Sequence, residues 1–135
     1  MIAEASLADE AELVVLWEVC GLTRPWNPPA RDIARALGGP ASTILVARRE
    51  GAVTGSVMVG HDGHRGWVYY LAVAPDARRT GLGRALMQAA EAWLRERGAP
   101  KLQLMVRAGN EEVLAFYRAL GFVDQPVAVL GRFLD

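Results

Sequence analysis

Leu71-Ala72-Val73-Ala74-Pro75-Asp76-Ala77-Arg78-Arg79-Thr80-Gly81-Leu82-Gly83-Arg84-Ala85-Leu86 reads as a strand, a glycine-bearing turn and the start of a helix. The apolar run from Trp67 to Ala74 is strand-like on both faces, so a central strand is predicted, and Pro75 ends it. Residues 78–83 form a basic turn into a long helix that runs to Arg97, with Gly98 as its C-cap and Pro100 beyond. A helix that begins there turns the unpaired N–H groups of its first turn outward at the positive end of its dipole, which is where a phosphate sits. Gly81 and Gly83 remove side chains that would block the backbone, and Arg78, Arg79 and Arg84 add charge. An ordinary strand-to-helix turn with solvated arginines is the plainer reading. The dinucleotide-binding pattern fails because Leu86 stands where its third glycine belongs, and the Gly-Lys-Ser/Thr of a Walker loop is absent.

Outward from this stretch, Thr43 to Ala47 and Val53 to Val59 read as an antiparallel hairpin joined by a polar turn. The polar segment 60–66 leads into the central strand. On the N-terminal side, Met1 to Ala5 reads as a short strand and Ser6-Leu7-Ala8-Asp9 as a capping box opening a helix that Gly21 stops. Three prolines make 23–29 a stiff loop, followed by a short helix from Ala30 to Leu37. After the long helix come a strand from Lys101 to Arg107, a helix from Asn110 to Leu120, and strand-like pieces near Phe122 and at Val127 to Phe133. This order predicts an α+β fold, a mixed α/β arrangement with a mostly antiparallel sheet and helices on both faces.

With 135 residues, 52% hydrophobic and 22% charged, the chain is read as one globular domain spanning 1–135. Fifteen basic and fifteen acidic residues give zero formal net charge, so no general attraction to nucleic acid or anionic membrane is expected and any anion site is local. The single cysteine, Cys20, cannot form an internal disulfide and is read as core. No apolar run approaches the ~20 residues of a membrane helix, and a cytoplasmic protein is expected.

The turn Arg78-Arg79-Thr80-Gly81-Leu82-Gly83 resembles the Arg/Gln-x-x-Gly-x-Gly/Ala acetyl-CoA loop of the GCN5-related N-acetyltransferases (GNAT). Two further features fall where that family has them: Asn110 opening the next helix, and Phe116-Tyr117-Arg118-Ala119-Leu120-Gly121-Phe122 at its end. The likeness covers about Val46 to Phe122. Within the family it is similar to small bacterial members of the YpeA type, which share an Arg-Pro-Trp-Asn loop like Arg24 to Asn27 and a segment like Asp62 to Gly66.

The resemblance implies splayed central strands that admit the pantetheine arm of acetyl-CoA, with Leu71 and Val73 on the strand and Arg78, Arg79, Thr80, Gly81, Leu82, Gly83 and Arg84 around the pyrophosphate. A bulge near Ala72 would free the N–H of Val73 to bond the thioester carbonyl, where charge develops in the reaction. Asn110 would bond pantetheine, with a plain helix cap as the alternative. Tyr117 matches the tyrosine that serves as general acid to the departing thiolate; the bland alternative is anchoring alone. The glutamate that histone-type members carry early in the central strand falls at Trp67, so no strand carboxylate serves as base. His61, Asp62 and His64, Tyr69 or Tyr70 through water, and Glu111 or Glu112 are the candidates, or no base at all if the acceptor is an α-amine. Alternation places Tyr69 and Tyr70 on opposite faces of the strand. The acceptor side is assigned to Arg24, Trp26, His64 and Tyr69.

An acetyl-CoA-dependent N-acetyltransferase acting by direct transfer to a primary amine is therefore expected, with no metal. Its acceptor is a small molecule or a peptide amine, and the chain acts as monomer or homodimer. A non-catalytic acyl-CoA-binding module is the alternative, and a nucleic-acid-binding domain is disfavoured by the balanced charge.

Overall fold

The computed structural model describes residues 1–134. The chain divides into two compact units, Met1–Met105 and a second that begins at Val106. In the first unit, β1 (Ile2–Glu4), β2 (Ser42–Arg49), β3 (Ala52–His61), β4 (Gly66–Val73) and β5 (Leu102–Gln103) form one sheet in sequence order. The first three pairings are antiparallel and β4 with β5 is parallel, which makes the sheet mixed and mostly antiparallel, as expected.

Ser6 opens a short 3-10 turn, Leu7–Asp9, with both halves of the capping box present, and α1 (Glu10–Val19) continues from it. The Asp9 carboxylate accepts the Ser6 N–H at 2.9 Å and pairs with Arg48 at 2.6 Å, and these contacts hold its pKa below the usual carboxylate range. The first helix is thereby tied to β2. Pro29 occupies the first position of α2 (Pro29–Leu37), where its missing N–H costs nothing.

Side-chain alternation sorts the sheet into two faces. Ile44, Val46 and Ala72 pack with Leu13, Leu16, Trp17, Ile33 and Ala36 of α1 and α2. Gly55 and Gly66 turn the other way, toward α3 (Leu82–Glu96). A Cβ on Gly66 would lie 2.5 Å from Leu94 Cδ1, and one on Gly55 would lie 2.9 Å from Leu86 Cδ1, so at both positions a side chain would force these leucines of α3 to shift. Helices on both faces follow from that packing.

Several expectations change. β3, not β4, is the middle strand, and β4 has neighbours on both sides only at Gly66 and Trp67. The strand expected over 101–107 is reduced to Leu102–Gln103, because beyond Trp67 it has no ladder partner to satisfy its backbone. β3 runs on to His61, which shortens the polar connection. In the second unit α4 (Glu111–Ala119) forms as expected, whereas the pieces near Phe122 and at Val127 to Phe133 join no ladder among the described residues. Their β-propensity is not sufficient alone, since a strand is stable only when its N–H and C=O groups pair with another.

Candidate active site

β4 carries the decisive irregularity. Tyr69 pairs with Met58 and Ala72 with Ser56, so two residues, Tyr70 and Leu71, stand opposite Val57 alone. This is a β-bulge at Tyr70–Leu71, next to Ala72 near which one was expected, and Tyr70 adopts φ +53°, an uncommon conformation for a non-glycine residue. The cause is on the α1 side: the Tyr70 ring stacks on Trp17 with centroids 3.8 Å apart and planes 7° from parallel. The extra residue also overturns simple alternation. Tyr69 pairs with Met58, which packs against the α1–α2 core, and Tyr70 stacks on α1, so both rings lie on one side of the sheet.

Beyond the bulge the backbone direction is determined. Ala74 N–H donates to Thr54 O at 2.8 Å, so Ala72 and Ala74 face β3 and the N–H and C=O of Val73 face the other edge. That edge has no ladder partner past Trp67 among the described residues. The Val73 carbonyl accepts from Arg78 Nε at 3.1 Å and from Cys20 Sγ at 3.4 Å, and Arg78 Nη2 lies 3.6 Å from that sulfur. Arg78 is thus bound to the strand rather than free over the turn. Cys20 is partly buried against the core, as expected, and lies beside the open edge.

The turn that follows is built by a 3-10 segment, Pro75–Ala77, then by Arg79 at φ +62° and Gly81 at φ +83°. Thr80 Oγ1 donates to Ala77 O at 2.6 Å and holds the turn. Gly81 is the N-cap of α3 and supplies no side-chain cap. Ala85 N–H reaches Gly81 O at 3.0 Å, so the N–H groups of Leu82, Gly83 and Arg84 precede the first intrahelical bond. Arg79 and Arg84 are exposed, with no hydrogen bond or ion pair among the described residues. Three backbone donors and two exposed guanidinium groups thus stand together at the helix start, the kind of donors a polyanion takes.

Residues assigned to the acceptor side separate into two groups. In the 24–27 loop, Arg24 donates to Gly21 O and Thr23 O at 3.0 and 2.7 Å, and Asn27 N–H closes a tight turn onto Arg24 O. Trp26 is 60% exposed. The loop is pinned to the bulge: Asn27 Nδ2 donates to Asp32 Oδ2 at 2.8 Å and to the Tyr70 hydroxyl at 3.0 Å, and that hydroxyl donates to Asp32 at 2.7 Å. Burial and Asp32 together push the Tyr70 phenol well above its ordinary pKa, which removes it as a base. Tyr69 remains 44% exposed two residues from Leu71, its phenol also raised by burial. His64 belongs elsewhere. It sits exposed on the Asp62–Arg65 turn, its N–H on Asp62 Oδ1 at 2.9 Å, and His61 faces Trp93 with ring centroids 6.1 Å apart. That end of β4 is five residues from Leu71, about 16 Å along a strand. Neither histidine is brought to the bulge, whereas the Asp62 carboxylate lies near enough to Tyr69 to add to the rise of its phenol pKa.

In the second unit Asn110 is the N-cap of α4, its Oδ1 accepting from Val113 N–H at 3.3 Å. Tyr117 is 9% exposed between the rings of Phe116 and Phe122, at 5.1 and 5.7 Å, and burial raises its pKa to about 12.

Sequence reading missed Trp17, Ser56, Asn27 and Asp32. Asn27 stands in the Arg-Pro-Trp-Asn loop, and Ser56 carries a further signal, a hydroxyl in an otherwise apolar strand segment, Gly55-Ser56-Val57. It is fully buried, accepting from Trp17 Nε1 at 2.9 Å and donating to Tyr70 O at 3.0 Å.

The model of the acetyltransferase (GNAT) family matches residues 11–122. An acetyltransferase of Yersinia enterocolitica serotype O:8 is 46% identical over 127 residues, covering 94% of this chain and 90% of the relative. Among solved structures, ribosomal-protein-alanine N-acetyltransferase from Brucella melitensis biovar Abortus 2308 superposes with a TM-score of 0.79 at 26% identity, over 98% of this chain and 99% of that one. AAC(6')-Iy, solved with the bisubstrate analogue CoA-S-monomethyl-acetylneamine, gives 0.83 at 16% identity over 100% and 98%. The match spans strand, turn and both later helices, and on this footing the chain belongs to the GNAT acetyltransferase family and is an acyltransferase.

Proposed function

We propose that the chain is a single acetyltransferase domain that moves an acetyl group from acetyl-CoA directly to a primary amine. One observation carries the reading: the edge of β4, without a ladder partner past Trp67 among the described residues, leads through a short turn to an uncapped helix start flanked by Arg79 and Arg84, which have no partner among those residues. The N–H groups of Leu82, Gly83 and Arg84 bind the pyrophosphate, with Arg79 and Arg84 balancing its charge. The pantetheine arm lies along the open edge with a bond from Asn110, and its acetyl thioester carbonyl meets the N–H groups of Leu71 and Val73. The Val73 N–H stabilises the charge that grows on the thioester oxygen during attack.

Tyr117 donates a hydrogen bond to the departing thiolate. At a pKa of about 12 its phenol stays protonated throughout the working range. It is also a weaker acid than a solvated phenol, and full proton transfer to a thiolate of pKa ~8.5 runs uphill. Stabilisation of sulfur by the hydrogen bond is therefore the larger part of its role. β4 carries no carboxylate, and Asp32 is saturated by Asn27, Tyr70 and Arg35. An acceptor that arrives partly as the free amine fits this site best, as an α-amine of pKa near 8 does. The exposed Trp26 ring, on a loop pinned by Asn27, favours a compact small-molecule amine over a long peptide.

The test is release of free thiol from acetyl-CoA across polyamines, amino acids, aminoglycosides and short peptides. Amine-dependent release with one acetylated product per thiol is expected, and binding of acetyl-CoA without release to any amine would refute direct transfer.

A further inference from the structure

The hydroxyl of Ser56 is fully buried and joins two elements far apart in sequence: it accepts from Trp17 Nε1 at 2.9 Å and donates to the carbonyl of Tyr70 at 3.0 Å. That carbonyl is half of the peptide unit at the bulge. In a trans peptide the C=O and the following N–H point in opposite directions, so turning the Tyr70 oxygen onto Ser56 turns the Leu71 N–H away from β3, to the unpaired side of the strand. The same edge carries the Val73 N–H. A left-handed tyrosine at φ +53° does not hold that orientation unaided, because the conformation is costly for a residue with a Cβ. Its aromatic stack on Trp17 and the hydrogen bond from Ser56 supply the restraint.

We infer that Ser56, oriented by Trp17, is a positioning residue that aims the bulge N–H groups at the acetyl carbonyl of the donor. The inference rests on the acetyl-CoA reading above and adds the residues that set the geometry of the edge. Ser56 touches no reacting atom, and its effect passes through the Tyr70–Leu71 peptide. A hydroxyl that merely satisfied Trp17 Nε1 would affect stability and nothing else.

The two roles separate on a pair of ligands that differ only in the acetyl group. Calorimetry with acetyl-CoA and with CoA measures the preference for the acetylated form in the unaltered protein and in Ser56→Ala. Loss of aim weakens acetyl-CoA about three- to tenfold and leaves CoA as it was, the size expected for one misdirected hydrogen bond. The infrared carbonyl stretch of bound [1-13C]acetyl-CoA shifts back toward its position in solution. If Ser56→Ala is too unstable to fold, Trp17→Phe keeps a ring against Tyr70, removes the donor to Ser56, and is expected to move both readings the same way by less. An unchanged preference and an unchanged stretch in a folded variant overturn the inference. Failure of the unaltered protein to bind either ligand overturns the acetyl-CoA reading first, and this inference with it.

Discussion

α3 and α4 open in opposite ways. α4 begins with Asn110 capping Val113 N–H, and Glu111 and Glu112 stand in its first turn, so its positive end is answered by its own side chains. α3 begins with a glycine that offers no cap, has no acidic residue in its first turn, and is flanked by Arg79 and Arg84. The needs of the α4 start are met within the chain, and those of the α3 start are left open, as the proposed anion site requires. The difference teaches that a sequence motif for a phosphate turn is informative for what it lacks as much as for its glycines.

The sharpest way to break this contrast is to place a carboxylate at the α3 start. Gly83→Asp adds bulk and negative charge among the three free N–H groups, and acetyl-CoA binding measured by calorimetry should fall at least ~100-fold in a protein that still folds, as loss of charged hydrogen bonds with added repulsion requires. Unchanged affinity in a folded variant would remove the anion site from α3.

If α4 contributes chemistry in place of an anion site, its largest effect lies on turnover. Tyr117→Phe keeps the packing against Phe116 and Phe122 and deletes only the donor, so kcat should fall about 10²-fold with acetyl-CoA affinity nearly constant. Single-turnover rates are the decisive measurement, and equality with the parent would leave Tyr117 as packing.

Asn110 sharpens the contrast at smaller scale. Asn110→Ala should lower unfolding free energy by ~1 kcal/mol through the lost cap, and Asn110→Ser, which also caps, should recover most of it. The proposed pantetheine bond predicts that both variants keep a raised acetyl-CoA constant, about three- to tenfold. Recovery of affinity by serine along with stability would make Asn110 a cap only.

The remaining effect is seen only at alkaline pH. The Tyr117 pKa is raised to about 12 in the folded state against ~10 unfolded, so its contribution is whole below pH ~10 and is lost as pH rises toward 12, at about 1.4 kcal/mol per unit. Denaturant titrations between pH 9 and 11 should show a shallower decline in Tyr117→Phe than in the parent, and parallel declines would contradict the burial.

Much of this was legible because it is local. Residues 78–83 declare their own turn: Gly81 takes the positive φ that few other residues tolerate, and the strand before it ends at a proline. The capping box at Ser6 and the α4 cap at Asn110 follow from residues three positions apart. Reading failed where a second segment decides. Val127 to Phe133 has the composition of a strand and joins no ladder among the described residues, and Tyr69 and Tyr70 alternate on paper but share one side of the sheet.

Sequence by itself therefore determined most of the elements, their order, the family and the backbone course of the 78–83 turn, all of which rest on residue patterns and preferences within short stretches of chain. The tertiary structure alone decided where the bulge falls and which peptide it turns outward. Ser56 reaches Trp17 across 39 positions and Tyr70 across 14, and Tyr70 reaches Asp32 across 38. The aim of an N–H group depends on what holds the opposite end of its peptide, and here that holder is a side chain brought in by another strand and helix.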